Sequence, residues 1–366
     1  MHSSPLLSAQ PSFFSSPSAQ NQRTLTQMSE ARPTLESRLL AGERAALARG
    51  ISWAERSDPR FPALLRSLWP HVGRGMRTGI TGPPGAGKST LVNEIARVLR
   101  EQDKQVGILA VDPSSPFTGG ALLGDRIRME DRTMDTGVFI RSMASRGSHG
   151  GIARAAVDAC DVMDAFGFGE LIVETVGVGQ AEYDIVSAAD TVVVVLCPGA
   201  GDSVQAMKAG LLEVADVMVV NKSDLRGADR LASDLEEAVH IRTAGRGVWE
   251  PPVVTCSAGK SQGVGAVLEA IESHRSWLAD GRLAGERKRR RIDQVERVVS
   301  EGWRAAIWEE GSWRERVATE LTKGEQTPYD VASHLLGELL PKAGDSSTAL
   351  DSGPFQSPSK SQGDSE

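Results

Sequence analysis

The chain has little of what would mark a secreted, membrane-spanning or nucleic-acid-binding protein. Its 366 residues hold three cysteines, Cys160, Cys197 and Cys256, far apart and odd in number. They form no CxxC pair and no disulfide framework, which fits a reducing cytosol, and a cytoplasmic location is the expectation. No apolar run approaches the ~20 residues of a membrane span. The longest, around residues 191–196, is the size of a strand. Positive charge is not in excess either: 41 Lys and Arg against 48 Asp and Glu leave a net charge of −7. That balance gives no reason to expect a nucleic-acid partner. The length allows one large or two ordinary domains with a sizeable core.

Both ends lack periodicity. Residues 1–35 are rich in Ser, Gln and Pro and are expected to be disordered, as is a second polar tail over residues 343–366. The first segment has no secretory h-region. It is Ser-rich and free of acids before Glu30, as organellar transit peptides are, but Arg23 is its only basic residue before Arg32. Met28 offers an alternative start. Residues 36–54 read as one amphipathic helix with Leu39, Leu40, Ala46, Leu47 and Ile51 on its apolar face. The expected organisation is a helical extension over 36–75, a nucleotide domain over 76–280 and a C-terminal helical arm over 281–342.

What the chain does have is organised around GITGPPGAGKSTLVN, residues 79–93. Residues 82–89 match the phosphate-binding loop G-x-x-x-x-G-K-[ST] in full. A triphosphate needs many donors converging on one concave spot. Backbone N–H groups supply them where side chains do not intrude, hence Gly82, Gly85 and Gly87 among Pro83, Pro84 and Ala86. The helix opening at Lys88, Ser89 and Thr90 adds its positive dipole end. Lys88 carries a cation to the β/γ oxygens, and the Ser89 hydroxyl is a hard ligand for Mg²⁺.

A strand-like run at 77–81 precedes this loop, and a helical pattern at 91–99 follows it. Further strand-like runs fall at 107–111, 138–140, 171–174, 191–196, 217–220 and 252–255. Helical patterns lie between them at 152–163, 204–214, 231–239 and 264–271. Near-continuous Val/Ile strands separated by helices predict an α/β fold, a mostly parallel sheet covered on both faces. Ligands in such sheets sit at the carboxyl ends of the strands.

Chemically suggestive residues end these strands. Asp112 follows 107–111 and opens a long loop that closes on Asp125. Either acid suits Mg²⁺, directly or through water, and either equally suits a cap or turn. Glu174 ends 171–174 and begins Glu-Thr-Val-Gly177. Many GTPases carry Asp-x-x-Gly here, with the acid on Mg²⁺ through water and the Gly amide on the γ-phosphate. Gln180 stands three residues after that Gly rather than directly after it, so the water-orienting role is not assigned to it.

Asn221-Lys222-Ser223-Asp224 follows 217–220 and is the guanine signature Asn-Lys-x-Asp. Asp224 can accept from guanine N1–H and the 2-amino group. Adenine offers neither, and sites built on such bonds reject the analogue by roughly 10⁴–10⁵. Lys222 would lie over the base or brace the phosphate loop. Ser257-Ala258, after the next strand, has the composition of the last base-contacting loop. From the residues alone, a P-loop NTPase for guanine nucleotides (GTP or GDP, with Mg²⁺) is the expectation.

Four runs now show a resemblance: VDPSSPFTGGALLGDRIRM at 111–129, IRSMASRGSHGG at 140–151, VETVGVGQ at 173–180 and PGAGDSVQAMKAGLLEVADVMVVNKSD at 198–224. They resemble the MeaB/ArgK/MMAA family of P-loop GTPases over about residues 39–340. The resemblance implies a GTPase chaperone of an adenosylcobalamin-dependent acyl-CoA mutase, most of all methylmalonyl-CoA mutase. Such a chaperone gates cofactor delivery from a cobalamin adenosyltransferase and protects or reactivates the mutase. It implies a homodimer held by C-terminal helices and slow GTP hydrolysis stimulated by the mutase. It also places Asp112, Asp125 and Glu174 around Mg²⁺ and the switches. The loop at 199–208, with Asp202 and Gln205, matches the family's third switch, and Lys208 becomes a candidate to stabilise transition-state charge. Without the resemblance, Asp202 and Lys208 read as a helix cap and a solvated Lys.

Other functions stay open at this stage. One is a GDP-bound assembly scaffold with negligible turnover. Another is the ATP-dependent kinase of the older ArgK description, against which Asp224 argues. A third is a nickel-insertion GTPase, against which the scattered six His and isolated Cys argue. The basic run at 287–291 reads as the solvated face of a helix whose apolar positions are Ile292, Val295, Val299, Trp303 and Ile307. Trp303, Trp308 and Trp313 share no single stripe, and large aromatics on such an arm suit a subunit interface.

Overall fold

The computed structural model describes residues 33–112, 135–144, 151–175, 187–199, 210–245, 248–309, 313–323 and 326–339. Both expected tails fall outside these residues, apart from 33–35. The chain divides into two compact units, Met1–Arg287 and Lys288–Glu366.

The first unit opens with three short helices: α1 (Leu35–Leu40), α2 (Arg44–Glu55) and α3 (Phe61–Leu68). The single helix expected over 36–54 is therefore two. The chain turns at Gly42, whose φ of +83° is left-handed backbone that glycine adopts without a Cβ clash. The Arg38 Nε donates to the Glu43 carboxylate across the turn at 2.7 Å. Leu39, Ala46, Leu47 and Ile51 are fully buried, whereas Leu40, the last residue of α1 before the turn, is exposed.

Seven strands follow: β1 (Met76–Thr81), β2 (Val106–Asp112), β3 (Val138–Ala144), β4 (Glu170–Thr175), β5 (Thr191–Leu196), β6 (Val217–Val220) and β7 (Val253–Thr255). All pair in parallel, in the order β3-β2-β4-β1-β5-β6-β7. The loop-bearing strand β1 is central. The helices are α4 (Lys88–Glu101), α5 (Gly151–Phe166), α6 (Leu211–Val214), α7 (Ala228–Thr243) and α8 (Val264–Leu278).

Strand alternation divides the core between two faces. Val192, Val194 and Leu196 pack with Leu171, Val173 and the α1–α3, α5 and α7 side. Val193 and Val195 point the other way, onto Leu91 and Ile95 of α4 and Val267 and Ile271 of α8. Each such buried aliphatic side chain contributes about 1.5–3 kcal/mol. This two-faced burial is why the strands read as unbroken Val/Ile runs.

The amino ends of the strands carry a buried ionic network. Arg77 Nη2 lies 2.6 Å from Asp161 of α5. Asp164 accepts from the backbone N–H of Gly73 and Gly75 at 2.7 and 2.9 Å. Asp190 accepts from the Arg77 N–H at 3.1 Å and from Arg287 Nη2 at 2.6 Å. Arg287 also donates to the carbonyls of Gly73 and Gly75, both at 2.7 Å. The solvated-face expectation for the 287–291 run is thus corrected at its first residue: Arg287 is half-buried, with two backbone carbonyls and a buried carboxylate converging on it. Arg275 of α8 and Lys104 both reach Glu170, at 2.8 Å each.

Arg287 lies in α9 (Arg282–Trp308), a 27-residue helix. In the second unit the remainder of α9 leaves Ile292, Val295, Val299 and Trp303 about half exposed. α10 (Trp313–Thr322) and α11 (Pro328–Leu339) complete the unit, with Val331 and Leu335 buried and Arg316 paired to Glu338 at 3.1 Å. Among the described residues no helix is long and apolar enough to cross a membrane.

Candidate functional site

The phosphate loop joins β1 to α4. Gly82 has φ +133°, and a Cβ there would stand 2.1 Å from the Val195 carbonyl oxygen of β5. Gly87 has φ +91° and caps α4, and a Cβ there would meet Asn221 Nδ2 at 2.4 Å. Both positions therefore demand glycine, one for closeness to β5 and one for closeness to the base-side loop. Gly82, Pro83 and Ala86 are buried, Pro84, Gly85 and Thr90 exposed. Lys88 is buried, with its Nζ donating to the carbonyls of Gly82 (2.6 Å) and Pro83 (3.0 Å). The ammonium is held at the loop by carbonyl groups, within reach of anything the loop amides bind.

Ser89, half-buried in the first turn of α4, donates its hydroxyl to Glu174 Oε1 at 2.5 Å. Glu174 is itself buried. The structure so brings Lys88, Ser89 and Glu174 into one cluster at the carboxyl end of the central strands. Thr175 and Thr81 hydroxyls bond at 3.0 Å and tie β4 to β1 beneath it, a pairing that no motif announces. Asp112 is the last residue of β2, and Val111 registers with Thr175 of β4. Asp125, Gly177 and Lys208, with Gln180, Asp202 and Gln205, lie outside the described residues. A serine hydroxyl against a carboxylate is an oxygen donor set that suits Mg²⁺, which takes few protein ligands beside phosphate. Among the described residues no group of three His, Cys, Asp or Glu gathers as a metal cage.

The base-side half is built from the loops after β6 and β7. Asn221 is buried and spans three segments. Its Nδ2 donates to the Ala86 carbonyl at 2.9 Å, and its Oδ1 accepts from the Ala258 N–H at 3.0 Å. Lys222, at φ +58°, donates Nζ to the Gly85 carbonyl at 2.7 Å. Asp224 Oδ1 accepts from the Ser257 hydroxyl at 2.7 Å, and Oδ2 lies 3.1 Å from Lys260 Nζ. The Ser257 hydroxyl and then the Lys260 ammonium hold the Asp224 carboxyl below the usual carboxylate range. Lys260 went unnoticed in the sequence because its partnership depends on a tight turn: a 3-10 turn over Ala258–Lys260 brings it back toward Asp224.

Cys256 lies behind Asn221, with Sγ 3.5 Å from its Oδ1, and burial pushes its thiol up to about 11. Cys160 is enclosed in α5, and burial pushes it up to about 12. All three cysteines are buried and free.

A parallel sheet with this loop after its central strand is the fold of a P-loop NTPase. A family model described as "Methylmalonyl Co-A mutase-associated GTPase MeaB" matches residues 47–312. The chain belongs to this MeaB family of GTPases. A putative GTPase of Pyrococcus abyssi is 44% identical over 312 residues, 83% of this chain and 95% of that protein. The GTPase ArgK of Escherichia coli is 38% identical over 272 residues, 72% of this chain and 82% of its own length. A solved structure titled as a LAO/AO transport system kinase superposes with a TM-score of 0.65 at 28% identity, covering 83% of this chain and 96% of that one.

Proposed function

We propose that this chain binds GTP with Mg²⁺, hydrolyses it slowly, and uses the turnover to gate cofactor loading of an adenosylcobalamin-dependent acyl-CoA mutase. Methylmalonyl-CoA mutase is the first candidate, named in the family's description. The observation that carries the nucleotide half is the strap made by Asn221, which joins the phosphate loop at Ala86 to the base-side loop at Ala258. This tie between the two loops supports reading them as the phosphate-side and base-side parts of one nucleotide site.

The roles of this chain's residues follow from their chemistry. The backbone N–H groups of residues 85–90 and the α4 dipole would hold the phosphates, Pro83 and Pro84 having no N–H to give. Lys88 turns from the Gly82 and Pro83 carbonyls to the β/γ oxygens and balances charge as water attacks. Ser89, Glu174 and Asp112 would hold Mg²⁺, which would supply charge neutralisation at the phosphates. Asp224 selects guanine, backed by Ser257, and the Ala258 N–H would reach guanine O6 on leaving or sharing its bond to Asn221 Oδ1. Asp125, Gly177 and Lys208 take the switch and transition-state roles the family resemblance gives them. The half-exposed Ile292, Val295, Val299 and Trp303 on α9 support a homodimer through the C-terminal helices. Delivery would involve a cobalamin adenosyltransferase as a further partner.

The test is hydrolysis of GTP and ATP by the purified chain, alone and with methylmalonyl-CoA mutase. Slow GTP-only turnover that rises with the mutase is expected. Turnover that stays absent with the mutase present would favour a GDP-bound scaffold. Preference for ATP would overturn the role of Asp224.

A further inference from the structure

Asp224 has both oxygens engaged by this chain's own donors. Oδ1 takes the Ser257 hydroxyl at 2.7 Å, and Oδ2 takes the Lys260 ammonium at 3.1 Å. The arrangement is built rather than incidental. Lys260 N–H donates to the Ser257 carbonyl at 2.9 Å, and Ser257 N–H donates to the Gln262 carbonyl at 2.9 Å. The turn closes on Ser261 in left-handed backbone, φ +55°. Ser257 and Lys260 therefore approach the carboxylate from one rigid turn. The Asp224 side chain is about a third exposed and that of Lys260 more than half exposed.

A guanine base that pairs with Asp224 brings two neutral donors, N1–H and the 2-amino group, to the same two oxygens. A charged donor binds a carboxylate more strongly than a neutral one. We infer that Lys260 is a specificity-determining residue of the guanine site: its ammonium competes with guanine for Asp224 Oδ2 and so limits both affinity and discrimination. This rests on the guanine role of Asp224. For guanine, pairing must displace or share the ammonium. Adenine has no donor for Asp224, and Lys260 staying in place spares that carboxylate from being left unpaired. The lysine thus weakens the right base and softens the penalty on the wrong one.

The experiment is binding of GDP and ADP to the full chain by calorimetry, in wild type, Lys260→Met and Lys260→Arg. Methionine keeps the apolar stem and removes the charge. Exposed ion pairs are modest, so GDP should bind about two- to fivefold tighter to K260M, with ADP unchanged or weaker. K260R should stay near wild type. The K260M gain should shrink at high salt, where the competing pair is screened. Equal or weaker GDP binding by K260M, or the same gain for ADP, would overturn the role of Lys260. Asp224→Asn run alongside separates the two claims. If D224N loses its preference for GDP while K260M changes nothing, only the lysine role fails. If D224N keeps the preference, the guanine role of Asp224 fails and the lysine role with it.

Discussion

The Ser89 hydroxyl and the Glu174 carboxylate meet at 2.5 Å, binding the first turn of α4 to the end of β4. A buried carboxylate in that position beside Lys88 has a charge to share with a cation and a bond to lose when it is neutralised. Glu174→Gln should keep the fold and still bind GDP. Its GTP hydrolysis should fall by about 10²-fold, the scale of losing one electrostatic contributor at a reacting phosphate. The Mg²⁺ concentration needed for half-maximal turnover should rise. Phosphate release measured across a Mg²⁺ titration checks both.

Asp224 should decide the base. D224N is expected to lose most of its GTP-over-ATP preference, by less than the ~10⁴ of a site whose carboxylate is left unpaired, because Ser257 and Lys260 already engage Asp224. Xanthine carries a carbonyl where guanine has its amino group, so an asparagine amide can donate to it. D224N should therefore gain affinity for xanthosine diphosphate. Displacement of a fluorescent GDP by each unlabelled nucleotide reads this directly.

Gly82→Ala puts a Cβ 2.1 Å from the Val195 carbonyl oxygen at φ +133°, a clash between two backbones. A loss of about 3 kcal/mol of stability is expected, together with loss of GDP binding. Gly265→Ala, at the start of α8 where nothing lies within 4 Å, is the control. It should be neutral or up to about 1 kcal/mol stabilising. Urea titrations of both variants compare the two.

His274 should make stability pH-dependent. It is buried between Trp249 and Trp277, with Nδ1 3.0 Å from the Thr191 hydroxyl and Nε2 3.4 Å from Asp216. Burial pushes its pKa down to about 4, with Asp190 opposing and Arg275 adding to the fall. The folded pKa lies below the usual 6.5, so the unfolded chain takes up the proton first as pH falls. The His274 contribution is fully present above about pH 6.5 and is lost progressively toward pH 4, on the order of 3 kcal/mol in all. Urea midpoints between pH 4.5 and 7.5 should rise with pH, and His274→Gln should flatten that slope.

Arg287 holds Asp190, whose side chain is almost wholly buried. Arg287→Met would take a charged donor from that carboxylate, leaving it the Arg77 N–H among its partners, and from the Gly73 and Gly75 carbonyls. A loss of about 2 kcal/mol is expected, the scale of hydrogen bonds to a charged group. Lys288→Met, at the exposed next position of the same helix, should cost far less, and thermal melts of the two variants make the comparison.

The sheet was legible because its strands are buried on both faces and so carry unbroken Val/Ile runs. Expected and observed limits of β5 and β6 coincide, and the others differ by at most one residue at each end, except that β3 runs four residues further. The phosphate loop and Asn-Lys-x-Asp were legible because each residue type there answers a chemical demand of the ligand. The break at Gly42 was hidden, since apolar spacing carries on through a turn that keeps the same face. Arg287 and Lys260 were hidden for a different reason. Their partners are 97 and 36 residues away in sequence, and charge alone does not tell a solvated cation from a clasp. The second half of α9 kept its predicted stripe, for the spacing of Ile292, Val295 and Val299 is local.

The ionic network and the phosphate loop occupy opposite ends of the same strands. Arg77 is the second residue of β1 and Thr81 the last, so one strand is riveted at its foot and leaves its head to serve the loop. A chain wired this way can exchange the loops at its heads for others without loosening its foundations. It is a chassis on which new specificities can be grafted, so long as Arg77, Asp161, Asp164, Asp190 and Arg287 are left alone.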